Sequence, residues 1–207
     1  MNRFILVFLI CFFIFCAWLH YEQRKRQKLQ KKASDEFWAR EEEANRTRNK
    51  DISHLKKLQI SPEEIPQIET SDADVRYYIE QILQIIKEPM MDLSEFSNTD
   101  LKLAYGVGNF KELSEYEEKY NNFLILLSGL ARCYESAGFL AEAIATYELA
   151  LSYGSQKKKD YECLAHLYLA MDQPEKIMQL TAKLQESGHP HRESIIQSLR
   201  KILSTYQ

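Results

Sequence analysis

The 207-residue sequence is short of helix breakers, with six glycines and five prolines. That scarcity disfavours a β-sandwich, which needs many tight turns; an all-α fold is the expectation from the helical spacing and the repeat described below. There are four cysteines and no C-x-x-C spacing. A disulfide framework is therefore not expected, Cys133 and Cys163 read as small buried hydrophobes, and the usage fits a reducing compartment. No G-x-x-x-x-G-K-[ST], G-x-S-x-G or H-E-x-x-H motif occurs, so signatures for phosphate cradling, nucleophilic hydrolysis and zinc proteolysis are missing. A basic folded face is lacking too. Residues 61–120 hold 5 Lys/Arg against 14 Asp/Glu, and residues 121–207 hold 9 of each. Nucleic-acid binding by those parts has no electrostatic footing.

What is present begins at the N-terminus. Phe4 to Leu19, "FILVFLICFFIFCAWL", is 16 residues without a charge. As a helix it would cover about 24 Å, a little short of a hydrocarbon core of about 30 Å. His20 and Tyr21 lengthen it, and Trp18 and Tyr21 suit the interface. A cleaved signal is the rival. The exit "AWLHYEQRKRQ" has no A-x-A-like site, and Ile10 and Phe15 before Cys11 and Cys16 spoil a lipoprotein signal. Residues 1–21 are read as an uncleaved transmembrane anchor. Arg24, Lys25, Arg26, Lys28, Lys31 and Lys32 follow it. Positive-inside orientation then puts the C-terminal domain in the cytoplasm, on the cell membrane, with the basic stretch near anionic headgroups.

Residues 22–50 are polar, rich in helix formers and free of Gly and Pro. Glu22–Arg26, Glu36–Arg40 and Glu42–Arg46 stand acid-to-base at i,i+4, so a charged helical stalk is expected. No sustained heptad supports a coiled coil. Phe37 and Trp38 are expected to dock on the domain. Residues 51–71, broken by Pro62 and Pro66, read as an extended connector with Ile52, Leu55, Leu58, Ile60, Ile65 and Ile68 packed along the domain. Ser71 or Asp72 would cap the next helix. Further helices are expected near 73–87, 92–105 and 110–122, inside a helical domain over 72–207.

One internal period stands out. In "LARCYESAGFLAEAIATYELAL" and the residues after it, a shift of 34 places Leu127 on Tyr161, Leu130 on Leu164, Ala131 on Ala165 and Tyr134 on Tyr168. Ala143 falls on Ile177 and Ala150 on Leu184. Small Ala131, Ala143 and Ala150 would let helices approach closely, and Gly138 would end the first of them. The pattern L-x-x-L-A-x-x-Y-x-x-x-G-x-x-x-x-A-x-x-x-Y-x-x-A-L, Leu127 to Leu151, resembles the tetratricopeptide-repeat consensus. The second copy departs from it: Asp172 replaces the turn glycine, Thr181 the aromatic and Leu184 the small residue. The clearest repeats are 124–157 and 158–191, and Ile195, Ile196, Leu199, Ile202 and Leu203 mark a terminal capping helix over 192–205. Span, basic stalk, acidic helices and repeats together resemble the layout of single-span bacterial membrane proteins, a resemblance that carries no activity.

The resemblance to tetratricopeptide repeats implies a groove lined by first helices that binds a protein or peptide. Candidate partner-binding residues are Ser128, Arg132 and Glu135 in the first copy and Lys159, Glu162 and His166 in the second, with Ile125 and Leu169 beside them. Arg132, Lys159 and His166 could receive an acidic peptide or a carboxylate. Chaperone-binding members of the family clamp a carboxylate with Lys and Asn; Ser128 and Arg132 do not reproduce that clamp, so that partner is not implied. His189 and His191 flank Pro190 without a third ligand nearby, which makes a poor metal site. Glu117 and Glu118 read as a solvated face, and "YGVGNF" at Gly106 and Gly108 as a helix-to-helix turn. The expectation is a membrane-anchored scaffold or adaptor. It has no catalysis, no cofactor, no metal and no small-molecule substrate. The alternative is a translocated envelope protein serving assembly or secretion.

Overall fold

The computed structural model describes residues 2–205, with the side chains of residues 2, 3, 5, 6 and 9–11 left outside that description. Among the described residues the chain is all-α, without strands. Its helices are α1 (Asn2–Arg46), α2 (Ala73–Ile85), α3 (Asn98–Tyr105), α4 (Val107–Ala137), α5 (Leu140–Ser152), α6 (Lys158–Ala170), α7 (Pro174–Glu186) and α8 (Arg192–Ser204). A 3-10 turn occupies Pro62–Glu64. The chain divides into two compact units, residues 1–54 with 95–112, and residues 55–94 with 113–207.

In the first unit α1 runs for 45 residues, because its sequence contains neither Gly nor Pro to interrupt it. The expected pairs Glu22–Arg26 (3.7 Å) and Glu42–Arg46 (2.5 Å) form. The third does not: Arg40 Nη2 lies 2.5 Å from Asp100 Oδ1, and Glu36 turns to Lys32 at 3.7 Å. The physical reason is the packing of α3 on this side of α1. Glu41 accepts from the Thr99 hydroxyl and, at 2.9 Å, from Lys102 Nζ. Ala44, fully buried, leaves room for the neighbouring helix. Within this unit Phe37 and Trp38 do not dock on α3. They stay 53% and 65% exposed and meet each other edge to face at 5.3 Å.

The turn between α3 and α4 is also explained within this unit. Gly106 has φ +92°, and a side chain there or at Gly108 would collide with Asn49. Asn49 Oδ1 instead accepts from the Gly108 amide at 2.8 Å, and the Lys50 amide donates to the Tyr105 carbonyl at 3.0 Å. Asn49 thus satisfies one of the free amides at the start of α4.

In the second unit the connector is tied to the helices from Leu58 to Ile68, while Ile52 and Leu55 are not part of that core. Ile60 and Ile65 are buried, with Leu58 and Ile68 packed at the core's margin. The Leu58 amide donates to the Met90 carbonyl at 2.9 Å. The Tyr153 hydroxyl donates to Glu64 at 2.6 Å, and the Tyr134 hydroxyl to the Pro66 carbonyl at 2.7 Å. Of the two candidate caps for α2, Asp72 is used; it accepts from the Asp74 and Val75 amides. Gly129 on α4 faces the ring of Tyr78 on α2, which fills the place a Cβ would take.

The separate helix expected near 110–122 does not exist. The structure joins it to the one that follows in α4, 31 residues long. No Gly or Pro interrupts "EEKYNNFLIL", and buried Tyr116, Tyr120, Phe123, Leu127, Leu130 and Tyr134 continue one stripe at three- and four-residue steps. Asn121 and Asn122 face solvent and leave that stripe intact.

After α4 the 34-residue period returns in three dimensions. Gly138 takes φ +85°, and the Phe139 amide donates to the Tyr134 carbonyl at 2.9 Å. Thirty-four residues on, Asp172 takes φ +55°, and the Gln173 amide donates to the Tyr168 carbonyl at 2.8 Å. The left-handed turn is kept although the glycine is not, and Asp is one of the few residues that tolerate it. All six residue pairs related by the shift are buried at both ends. Helix α6 packs against α5, α7 and α8, and α8 also packs against α7. Ile195, Ile196 and Leu199 form the buried face of α8.

Among the described residues no helix is long and apolar enough to cross a membrane. The expected anchor at 1–21 includes residue 1 and the side chains of residues 2, 3, 5, 6 and 9–11, all outside the described set.

Candidate functional site

The six residues expected to line a binding face sit on α4 and α6 of the second unit. Arg132, Lys159 and His166 are exposed, and Glu135 and Glu162 are half-buried. The exposed residues arise from the helical period that buries Leu130, Ala131 and Tyr134 on α4 and Leu164, Ala165 and Tyr168 on α6. Among the described residues no hydrogen bond or ion pair engages the side chains of Arg132, Lys159 or His166. Glu162 is paired with Lys158 at 3.7 Å along the same helix.

Ser128 does not belong to that face: it is only 6% exposed. Its Oγ lies 2.7 Å from Asp160 Oδ2 and 2.9 Å from the Leu124 carbonyl. One hydroxyl proton serves one acceptor at a time, and the carboxylate is the stronger. The Ser155 hydroxyl donates to the same Oδ2 at 2.7 Å, and Lys157 Nζ donates to Ser128 Oγ at 3.4 Å. Asp160 itself is 4% exposed. A buried carboxylate requires donors around it, and the first turn of α6 adds the favourable end of the helix dipole. This cluster ties α4 to the loop before α6 and holds Ser128 away from any partner.

The electrostatics near Arg132 are mixed. Burial, followed by the carboxylates of Asp74 and Asp72, pushes the neighbouring Cys133 thiol up from its ordinary value, while Arg132 opposes the rise. The two acids at the capping end of α2 and Arg132 thus act on this thiol in opposite directions. Cys133 and Cys163 are unpaired thiols, and one that titrates above its ordinary range is a poor nucleophile.

Sequence reasoning missed the buried tyrosine hydroxyls. The Tyr168 hydroxyl donates to Glu148 at 2.7 Å, and Lys176 lies over the Tyr168 ring at 5.2 Å. Tyr147 buries its hydroxyl against the Cys163 thiol. Burial, helped by Cys163, pushes that hydroxyl far above the ordinary phenol range. Burial and Glu64 raise Tyr153 to about 12. These groups stay protonated at neutral pH and serve packing. Asp160 was missed as well; its only sequence signal was an acid in the first turn of a predicted helix, which gives no hint of burial.

His189 packs edge to face on Tyr161 at 5.6 Å, and its Nδ1 accepts from the His191 amide at 3.0 Å. Burial and the neighbouring His191 hold its pKa below the ordinary value. Among the described residues no three His, Cys, Asp or Glu side chains gather in a way that could hold a metal ion.

No family model, no curated protein and no solved structure matches the chain.

Proposed function

We propose that this chain is a membrane-anchored scaffold whose paired helices present a face for a protein or peptide partner, without catalysis. The observation that carries the reading is the arrangement of α4 and α6. Both bury a Leu-Ala-Tyr stripe at positions 34 residues apart, and both leave unengaged cationic or titratable side chains exposed. The tetratricopeptide-like reading is supported by the two left-handed turns at Gly138 and Asp172. The partner surface is Arg132, Lys159 and His166, with Glu135 and Glu162 at its margin; Ser128 supports it from beneath.

The anchor is supported by the charge-free run Phe4–Leu19. Phe4, Phe8, Phe13, Ile14 and Trp18 all stand more than half exposed on α1, an arrangement that costs least in an apolar surrounding. The six basic residues after Tyr21 orient it with the C-terminal domain on the cytoplasmic side.

The test is a crosslinking pull-down from cells with Arg132, Lys159 and His166 all changed to Ala. Loss of the proteins recovered by the unmodified chain supports the face. An unchanged set of partners, from a variant that unfolds at the same temperature, removes it.

A further inference from the structure

The continuity of α1 gives its basic stretch a direction that composition alone does not. Helix geometry advances about 100° per residue. On that wheel Arg24, Lys25, Lys28, Lys31 and Lys32 fall within about 120° of one another. Arg26 lies off that arc, and its guanidinium is taken by Glu22 at 3.7 Å. All five residues of the arc are exposed. Arg24, Lys25, Lys28 and Lys31 form no ion pair among the described residues, and Lys32 has only Glu36 at 3.7 Å. From Gln23 to Ser34 there is no acidic residue. From Arg24 to Lys31 the stripe is thus one-sided and open, with Asp35 and Glu36 following its far end.

Its distance from the apolar run is equally defined. With no break in the helix, Arg24 to Lys32 stand about 5–17 Å beyond Tyr21 along the axis. Screening confines electrostatic attraction to about 8 Å at physiological salt. Arg24, Lys25 and Lys28 lie within or close to that reach of a headgroup layer; Lys31 and Lys32 enter it only if the helix leans toward the stripe. We infer that the Arg24–Lys32 face of α1 is a binding stripe for anionic phospholipid headgroups, which gathers such lipids on one side of the helix and tilts it that way. The inference rests on the anchored reading for the distance between stripe and bilayer. The shared phosphate-plus-charge chemistry points to acidic lipids generally, not to one headgroup.

The experiment uses the full chain reconstituted in phosphatidylcholine vesicles containing a minor fraction of phosphatidylglycerol. Spin-labelled phosphatidylglycerol and spin-labelled phosphatidylcholine report which lipid contacts the protein. Carbonate washing of the same vesicles reports insertion. The acidic label should be enriched about two-fold or more at low salt, and the enrichment should fade at about 1 M salt, where the screening length is near 3 Å. The triple variant Arg24→Gln, Lys28→Gln, Lys31→Gln should bring it to parity. The variant Arg26→Gln, Arg48→Gln, Lys56→Gln removes the same charge off the stripe and should leave it in place. Equal association of both labels, or equal loss in the two variants, overturns the stripe. A chain that resists carbonate without lipid preference keeps the anchor and loses the stripe. One released by carbonate that still prefers phosphatidylglycerol keeps the stripe and loses the anchor.

Discussion

Gly129 shows how a single hydrogen in place of a methyl group shapes the second unit. The ring of Tyr78 occupies the space a Cβ would need, so Gly129→Ala should cost about 1–3 kcal/mol through overpacking, read by urea unfolding. Gly138 is the contrasting case. Nothing lies within 4 Å of its missing Cβ, yet φ is +85°. Gly138→Ala should therefore cost about 1–2 kcal/mol from backbone strain alone, while Gly129→Ala should be partly rescued by trimming Tyr78 to Ala. Asp160→Ala would strip the acceptor from the Ser128 and Ser155 hydroxyls and should cost about 2–3 kcal/mol. His189 supplies a pH dependence. Its folded pKa is held below the ordinary value by burial and by His191. The unfolded chain thus binds the proton more readily. The stabilisation is complete above the ordinary histidine pKa and is lost as pH falls through it toward the folded value. Thermal midpoints measured from pH 7.5 down to 5 should fall, and the fall should be shallower in His189→Gln.

Among the helices, the charged stalk was legible from an absence of breakers, whereas the length of α4 was not. Neither α1 nor α4 contains an internal proline; α1 lacks glycine as well, whereas α4 carries Gly108 and Gly129 and continues through its buried stripe. The break expected near residue 122 is absent because neither Gly nor Pro stands there and the buried stripe runs through it. The stalk's apolar pair misleads for a related reason. Phe37 and Trp38 carry the hydrophobic payload, but the docking side of α1 is set by Arg40, Glu41 and the small Ala44, which face α3. Glu41 is held ionised by the Thr99 hydroxyl, followed by Lys102, both of which lower its pKa. Glu41→Ala should leave the half-buried Lys102 and the buried Thr99 without that acceptor. Amide hydrogen exchange over Asn98–Tyr105 should then quicken, with little change over α6 to α8. Equal quickening throughout would mean that the clasp is not local.

For the chain as a whole, the all-α class, the charge-free N-terminal run and the exposed aromatics upon it favour one experiment above others. Membranes from cells expressing the chain should retain it through carbonate at about pH 11. A reporter fused after Gln207 should place the C-terminus on the cytoplasmic side. Reversing Arg24, Lys25, Lys28, Lys31 and Lys32 to Glu should invert that placement. If the reporter stands outside with the native charges, the translocated alternative replaces the cytoplasmic one.

The order of residues suffices for whatever is local and periodic: the helical stalk, the buried 34-residue stripe, the turn at Gly138 and the one-sided basic stretch. Each depends on residues within a few turns of one another, so spacing carries the information. Packing in three dimensions was needed to show that Ser128 closes over Asp160 across 32 residues and that Arg40 leaves Glu36 for Asp100 across 60. It was needed also to assign the segment 95–112 to the unit of α1. Such pairings are chosen by which surfaces meet once helices pack, and no local pattern in the chain encodes that choice.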